Sequence, residues 1–588
     1  MLRSTRTLAS LIHHLMLGTA TVVATGILVT TQVGCKDEGK PDYWVDKLEE
    51  KSWRPRAVKR LEQFYEDAVT KANKDASAPE VKALLDKIVV PLTNAYVTGY
   101  DDFDVKTRTT LIKLLSAFQD PRTEPALKKA FDEFVKRPAT NKDDTDIKWA
   151  ARGAGKLKLA SLADPMIQAF TKLRASTMLG GVTYKDFNDA LQDMPQQSWA
   201  GTLRQMLDAP IVVPKSAADK DKLDPYKDQL FWQTTSALLL GMLKDNAAVE
   251  PLMKVMLDPN KADVQATALL ALVKIGRPAV AEAVKLLKGQ NDKLKQYHYA
   301  RLKDAAPKPA DFKAPDDEPE VRTAALVIGT IGRPEGLPPL LEALKNAKGD
   351  VNKAVMAREI AKIPATAESK EAFKGAFQGI SLDTNIPPGA NALQLLVESA
   401  GQFYDPTMIP WLLERAEKTA GSGDDKTALQ SAILVTVLKL AKADQLDSVK
   451  PAVAKYGTKM EKDFLGLAEK QLRACGDRAQ CYLGEIEKGE NQEQNTQFSG
   501  FKACYMTAIH GTPNTALEII DRLGAVDNAA VRYSAAQAID FLSPKGSKEA
   551  AKKLQTIIDA NEKTADRNKI AGDAPLKQVM YRIETRAE

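Results

Sequence analysis

One short pattern recurs along these 588 residues and limits what they can fold into. An aliphatic residue or Trp is followed four positions on by a small residue, and about ten residues later a turn, usually with Pro, cuts the pattern. It reads Trp53-Arg54-Pro55-Arg56-Ala57, Ile147-Lys148-Trp149-Ala150-Ala151 and Val264-Gln265-Ala266-Thr267-Ala268. It returns as Val321-Arg322-Thr323-Ala324-Ala325 and Val531-Arg532-Tyr533-Ser534-Ala535. Spacing of i, i+4 puts both residues on one face of a helix, and a small residue there lets a second helix come close.

The breaks carry their own chemistry. Ile275-Gly276-Arg277-Pro278 and Ile331-Gly332-Arg333-Pro334 put Gly where a helix ends and Pro where the next begins. Pro121, Pro165, Pro364, Pro406, Pro513 and Pro544 punctuate the chain in the same way, and Asp120, Asp164 and Asp405 suit N-caps. Helix, Pro-bearing turn, helix, returning roughly every 40 residues, resembles the HEAT repeat. The resemblance covers most of residues 41–588 and is clearest over 245–345 and 525–560. It implies an all-α fold, an α-solenoid of stacked HEAT-like helix pairs, each unit touching only its neighbours. Composition agrees: apolar residues are 44% of the chain, and the helix formers Ala, Leu and Lys are prominent.

Two stretches interrupt the period. Residues 209–228 read as a loop, and 289–320, rich in Pro and Asp, as a solvent-exposed insertion. The expected organisation is N-terminal repeats over 41–288, the insertion or linker at 289–320, and C-terminal repeats over 321–588.

Ahead of the repeats, Arg3 and Arg6 precede an apolar stretch from Leu15 to Val29, which runs into Gln32-Val33-Gly34-Cys35 and then the polar tether 35–40. This is the layout of an export signal. The junction resembles the lipobox of bacterial lipoproteins, although Gln32 stands where that pattern has an aliphatic residue. The resemblance implies a signal peptide over 1–34, lipidation of Cys35, attachment to a membrane through that N-terminal anchor, and a body in the periplasm or at the cell surface. Residues 8–33 are also long enough to span a bilayer uncut, and a plain cleaved signal is a third reading. All three put residues 36–588 outside the cytoplasm.

An oxidising compartment bears on the remaining cysteines, Cys475, Cys481 and Cys504. Cys475 and Cys481 flank a turn marked by Gly476 and are expected to form a disulfide. A pairing with Cys504, or no bridge, are the alternatives.

Residues for chemistry are sparse. Beyond the leader there are two His, His298 and His510, neither beside a Ser or Cys in a nucleophile motif. Cys-x-x-Cys is absent, and carboxylate pairs such as Asp101-Asp102 and Asp143-Asp144 fall in polar connectors. No catalytic residue, metal ligand or cofactor is therefore assigned. The net charge of +6 is spread through alternating signs, which is no phosphate-tracking stripe, so no nucleic-acid partner is expected. Trp44, Trp53, Trp149, Trp199, Trp232 and Trp411 are read as inter-repeat core. The function expected is a non-enzymatic scaffold for an unidentified protein partner, with no small-molecule substrate. The alternative is an exported enzyme or ligand-modifying protein of the bilin-lyase kind. Intact-mass analysis of the chain isolated from membranes checks the anchor. It should begin at Cys35 and carry acyl mass; a different first residue, or no acyl mass, contradicts lipidation.

Overall fold

A computed structural model describes residues 37–137, 145–174, 182–214, 216, 218–386, 389–419, 423–486, 494–526, 528–564 and 573–588. Cys35 and the export segment lie outside the described residues. By compactness the chain divides into residues 1–95 and 96–588, so the segment 289–320 falls inside the larger unit.

The first unit holds α1 (Pro41–Asp46), α2 (Arg54–Lys71) and most of α3 (Pro79–Gly99). The second opens with α4 (Val105–Phe118), α5 (Glu124–Lys136), α6 (Thr145–Leu157), α7 (Ala163–Lys172), α8 (Val182–Asp193) and α9 (Ala200–Asp208). Then come α10 (Lys220–Met242), α11 (Val249–Leu257), α12 (Ala262–Ile275), α13 (Arg277–Leu287), α14 (Asp292–Ala305), α15 (Pro319–Ile331), α16 (Leu337–Lys345) and α17 (Gly349–Ile360). After α18 (Ala367–Gly379) a short antiparallel hairpin pairs Asn385–Ile386 with Ala390–Asn391, and α19 (Ala392–Gly401) follows. The remainder is α20 (Ile409–Lys418), α21 (Asp424–Leu440), α22 (Leu446–Tyr456), α23 (Lys459–Cys475), α24 (Ala479–Ile486), α25 (Gln494–His510), α26 (Pro513–Leu523), α27 (Ala529–Leu542), α28 (Lys548–Thr564) and α29 (Ala574–Arg586).

Within the larger unit these helices form two rows. Helices α4, α6, α8, α10, α12, α15, α17, α19, α21, α25 and α27 pack side by side in the tighter row, and α5, α7, α9, α11, α16, α18, α20, α24, α26 and α28 back them. This is an α-solenoid of stacked helix pairs, and small residues set the spacing of the tighter row. A Cβ on Gly155 of α6 would lie 2.8 Å from Ala190 Cα of α8, and one on Gly241 of α10 would lie 2.7 Å from Ala271 Cα of α12. On Gly329 of α15 it would lie 2.9 Å from Glu359 Cα of α17. Neighbouring backbones therefore touch where these side chains are missing.

The turns follow the sequence chemistry in most places. Gly276 and Gly332 end α12 and α15 at φ of +76° and +68°, a region that favours Gly. Asp120 and Asp405 cap as expected, accepting the N–H of Arg122 (2.9 Å) and Thr407 (2.9 Å). Asp245 and Asp258 do the same for Ala247 and Asn260. Each opens a single 3₁₀ turn, and these turns lead into α5, α20, α11 and α12. Asp164 is not a cap, because α7 starts one residue earlier and Leu162 holds that position.

Two expected loops are partly helical. Much of the segment 209–228 belongs to α10, whose first turns carry the ion pairs Lys222–Asp219 and Lys227–Asp224 at i, i+3 spacing, as a solvated helix face does. The insertion at 289–320 contains α14, which packs on α11 and buries Leu294 and His298. Its polar composition conceals that one-sided contact.

The packing separates two glycines sharply. Gly241→Leu should cost about 1–3 kcal/mol through overpacking. Gly375→Ala in α18, where an added Cβ meets nothing within 4 Å, should be neutral or stabilising by about 0.5–1 kcal/mol. Thermal melts of both variants check this; equal effects would contradict the close row.

Candidate functional site

Cys475 at the end of α23 is joined to Cys481 in α24 by a disulfide, their Cα atoms 5.4 Å apart. The turn between them is held from both sides. Arg478 donates to the carbonyls of Cys475 (3.1 Å) and Ala474 (2.6 Å), and the Tyr482 hydroxyl donates to that of Gly476 (2.6 Å). Cys504 is free and fully buried in α25, and burial pushes its thiol up to about 12, so it stays a neutral, inert group. His510 ends α25 with Nε2 3.4 Å from Asp477 and its ring parallel to Tyr482.

His298 exemplifies a wider rule. It is buried, burial lowers its pKa, and Nδ1 lies 2.5 Å from the carbonyl of Leu257, the last residue of α11. Other buried and half-buried donors take helix-terminal carbonyls in the same manner. Lys261 donates to Leu207 O near the end of α9 (2.6 Å), and burial brings its ammonium down to about 8. Arg415 of α20 donates to Gln378 O (2.9 Å) and Ile380 O (2.8 Å) at the end of α18. Lys502 of α25 donates to Lys439 O (3.1 Å) and to Ala441 O at the end of α21, and burial holds it well below the usual lysine range. The indole of Trp232 serves Phe170 O of α7 (3.1 Å). The last carbonyls of a helix have no intrahelical donor, and a donor from another unit satisfies them without water.

The largest such assembly is made by the C-terminal helix. On one side α29 packs against α27 and α28, and on the other against α12. Arg582 Nη1 donates to Gly329 O (3.0 Å) and Thr330 O (2.8 Å), the terminal carbonyls of α15, while Nη2 reaches Lys362 O just beyond α17. Its charge is met by Asp540 of α27, 2.9 Å away, which also accepts from Arg586. Arg333 returns the favour by donating to Thr585 O, and Lys244 pairs with Glu584 (3.4 Å) and Glu588. Lys274 Nζ sits 4.5 Å above the Tyr581 ring. The two turn glycines make room: a Cβ on Gly332 would overlap the Arg582 guanidinium, and one on Gly276 would press Thr585 at 3.2 Å. One helix thus ties the turns after α12 and α15 to α27. Burial acts to raise the Asp540 pKa, but the two guanidiniums outweigh it and hold the carboxyl below its ordinary value.

Beside this clasp the tighter row presents an aromatic face. Lys439 of α21 lies 5.0 Å from the Phe501 ring and 5.8 Å from Tyr505, both on α25. Tyr505 meets Tyr404 at 5.0 Å, and Tyr404 meets Phe541 of α27 at 4.7 Å. Phe541 and Tyr533 are 38% and 49% exposed, unusual for large apolar rings here, and Glu398 of α19 is exposed nearby. Sequence reasoning did not single out this face, although Tyr533 belongs to one of the recurring helix patterns. The tryptophans also divide: Trp44, Trp199 and Trp411 are buried, whereas Trp53, Trp149 and Trp232 are half-buried under flanking cations. Long Lys and Arg stems cover such rings while their charges stay wet. Among the described residues, no group of three or more His, Cys, Asp or Glu could hold a metal ion.

Residues 321–346, which take in most of α15, the following turn and α16, match the model of the PBS lyase HEAT-like repeat. No curated protein matches the chain. Among solved structures it is similar to a chain of the Pds5–Scc1 complex, at 10% identity and a TM-score of 0.29, covering 90% of this chain and 89% of that one. A chain from the cadherin and beta-catenin work gives 12%, 0.26, 93% and 99%, and importin beta gives 9%, 0.25, 92% and 84%. The matched segment is thus one HEAT-like helix pair within the stacked array.

Replacing Arg582 by Met leaves Asp540 and three helix-end carbonyls short of a donor and should cost about 3–5 kcal/mol. Gly332→Ala, strained at positive φ and pressed on Arg582, should destabilise in the same direction. Because the folded Asp540 pKa is depressed, its contribution is complete above the unfolded carboxylate value near 4 and is lost as pH falls through the lower folded value. Denaturant melts between pH 3 and 7 check this: Asp540→Asn should flatten the acid limb, and an unchanged limb would contradict the assignment.

Proposed function

We propose that this chain is a non-enzymatic, protein-binding scaffold of a bacterial envelope, exported and anchored to a membrane through a lipidated Cys35. The observation that carries the binding reading is the aromatic face of Phe501, Tyr533 and Phe541, seated beside the buried Tyr505, with Lys439 and Glu398 at its border. Partly exposed aromatic rings held rigidly on helices suit the centre of a protein interface, where Tyr and Arg dominate binding energy. The turns after α12 and α15 are already filled by α29, so the partner is assigned to the face on α21, α25 and α27 and not to the whole row. The groups that acid–base chemistry would draw on, His298, Lys261 and Lys502, are engaged with helix-terminal carbonyls, and Cys504 is sealed in the core. That favours a scaffold over the enzymatic alternative.

Export is supported by the leader residues Arg3 to Cys35 and by the Cys475–Cys481 bridge, since such bonds persist in oxidising compartments. The test is cross-linking in intact membranes followed by capture of the full-length chain. One partner should be enriched reproducibly, and Tyr533→Ala with Phe541→Ala should cut the enrichment at least about tenfold, from losses of 1–2 kcal/mol at each anchor. Enrichment that is equal for the double variant removes this face as the site. Failure to enrich any partner contradicts the scaffold.

A further inference from the structure

The first unit carries a second surface that the scaffold reading leaves without a role. Trp53, Arg56, Arg60 and Phe64 are spaced by three, four and four residues, so they share one face at the start of α2. Each cation lies over aromatic rings. Arg56 is 5.3 Å from Trp53 and 5.4 Å from Trp44, and Arg60 is 5.8 Å from Trp44 and 5.4 Å from Phe64. Lys47, just after α1, approaches Trp53 at 5.0 Å and Tyr43 at 5.8 Å. Trp44 is the buried floor of this cluster, while Trp53, Tyr43 and Phe64 remain partly exposed.

The surrounding carboxylates do not neutralise the face evenly. Lys47 is paired closely with Glu50 at 2.6 Å. Arg56 is 61% exposed and, among the described residues, is paired with Glu38 at 3.8 Å, while Arg60 donates to the uncharged Gln63 at 2.7 Å. The outward charge of the strip is therefore carried by Arg56 and Arg60, side by side with partly exposed Trp and Phe rings.

Position gives this chemistry its partner. The described chain begins at residue 37, and the sequence before it holds the apolar stretch and Cys35. Residues 37–40 form a turn, Lys40 N donating to Asp37 O (2.9 Å) and the Trp44 indole to Glu38 O (2.8 Å), so an anchor at Cys35 would hold α1 and the start of α2 within a few residues' reach, on the order of 10 Å, of the bilayer. Trp and Tyr settle at the headgroup level of membranes, and Arg beside them meets phosphate. We propose that the Trp53–Arg56–Arg60–Phe64 strip docks on anionic phospholipid headgroups, fixing the orientation of the first helix pair on the membrane. This rests on the membrane-anchored reading of residues 1–35.

Trp53 serves as the reporter. The full-length chain is reconstituted into vesicles with brominated acyl chains, made either of phosphatidylcholine alone or with phosphatidylglycerol. The Trp53 signal is taken as the difference between the natural chain and Trp53→Phe. It should be quenched in the anionic vesicles, and at least about threefold less in zwitterionic vesicles and in the Arg56→Gln, Arg60→Gln double variant, given the attraction of each basic residue to an anionic surface. Matching thermal melts show that the double variant folds. Quenching that is absent, or independent of both lipid charge and the two arginines, overturns the docking surface. Intact mass on the same samples separates the two ideas. An acylated chain without Trp53 quenching keeps the anchor and rejects the docking, whereas charge-dependent quenching without acyl mass rejects the lipid anchor and keeps the docking.

Discussion

The unmet carbonyls at helix ends govern how these units stack. Every helix leaves its last carbonyls without an intrahelical donor, and a solenoid multiplies that demand because its helices are many and its junctions are crowded. Here Lys261, His298, Arg415, Lys502 and Arg582 answer it from outside the helix they cap. A donor of this kind fixes register as well as satisfying a polar group, since its reach is short and, where it is buried, its removal leaves a desolvated carbonyl. Apolar packing between helix faces supplies attraction without direction; the capping side chains supply the direction.

The same interaction accounts for the end of the chain. A terminal helix in a repeat array normally shields only the last unit. Helix α29 covers α27 and α28 and also closes on the glycine turns that end α12 and α15. The glycines therefore serve two purposes, the positive φ that ends a helix and the space into which Arg582 and Thr585 fit. The consequence for binding is specific. With that edge filled, the proposed scaffold would present the rings exposed along α25 and α27, bordered by Lys439 and Glu398.

Much of the local plan was legible in the residues. The positive-φ positions at Gly276 and Gly332, the caps at Asp120 and Asp405 and the small faces of the repeated helices all rest on nearest-neighbour chemistry. What could not be read depends on distant partners. Nothing near Arg582 indicates that its acceptors lie at residues 329, 330 and 362. Helix α14 is concealed in the sequence because only one narrow side of it is buried, against the distant α11. The half-buried tryptophans look like core in a pattern that cannot count the cations lying over them.

Closure of the array by its own last helix is the claim on which the placement of the binding face depends. A zero-length carbodiimide cross-link tests it directly, because Lys244 meets Glu584 and Glu588 across more than 300 residues of sequence. The monomeric chain should yield a peptide joining residue 244 to 584 or 588, alongside the control link between Lys553 and Asp521. Formation of the control link alone would contradict the closure.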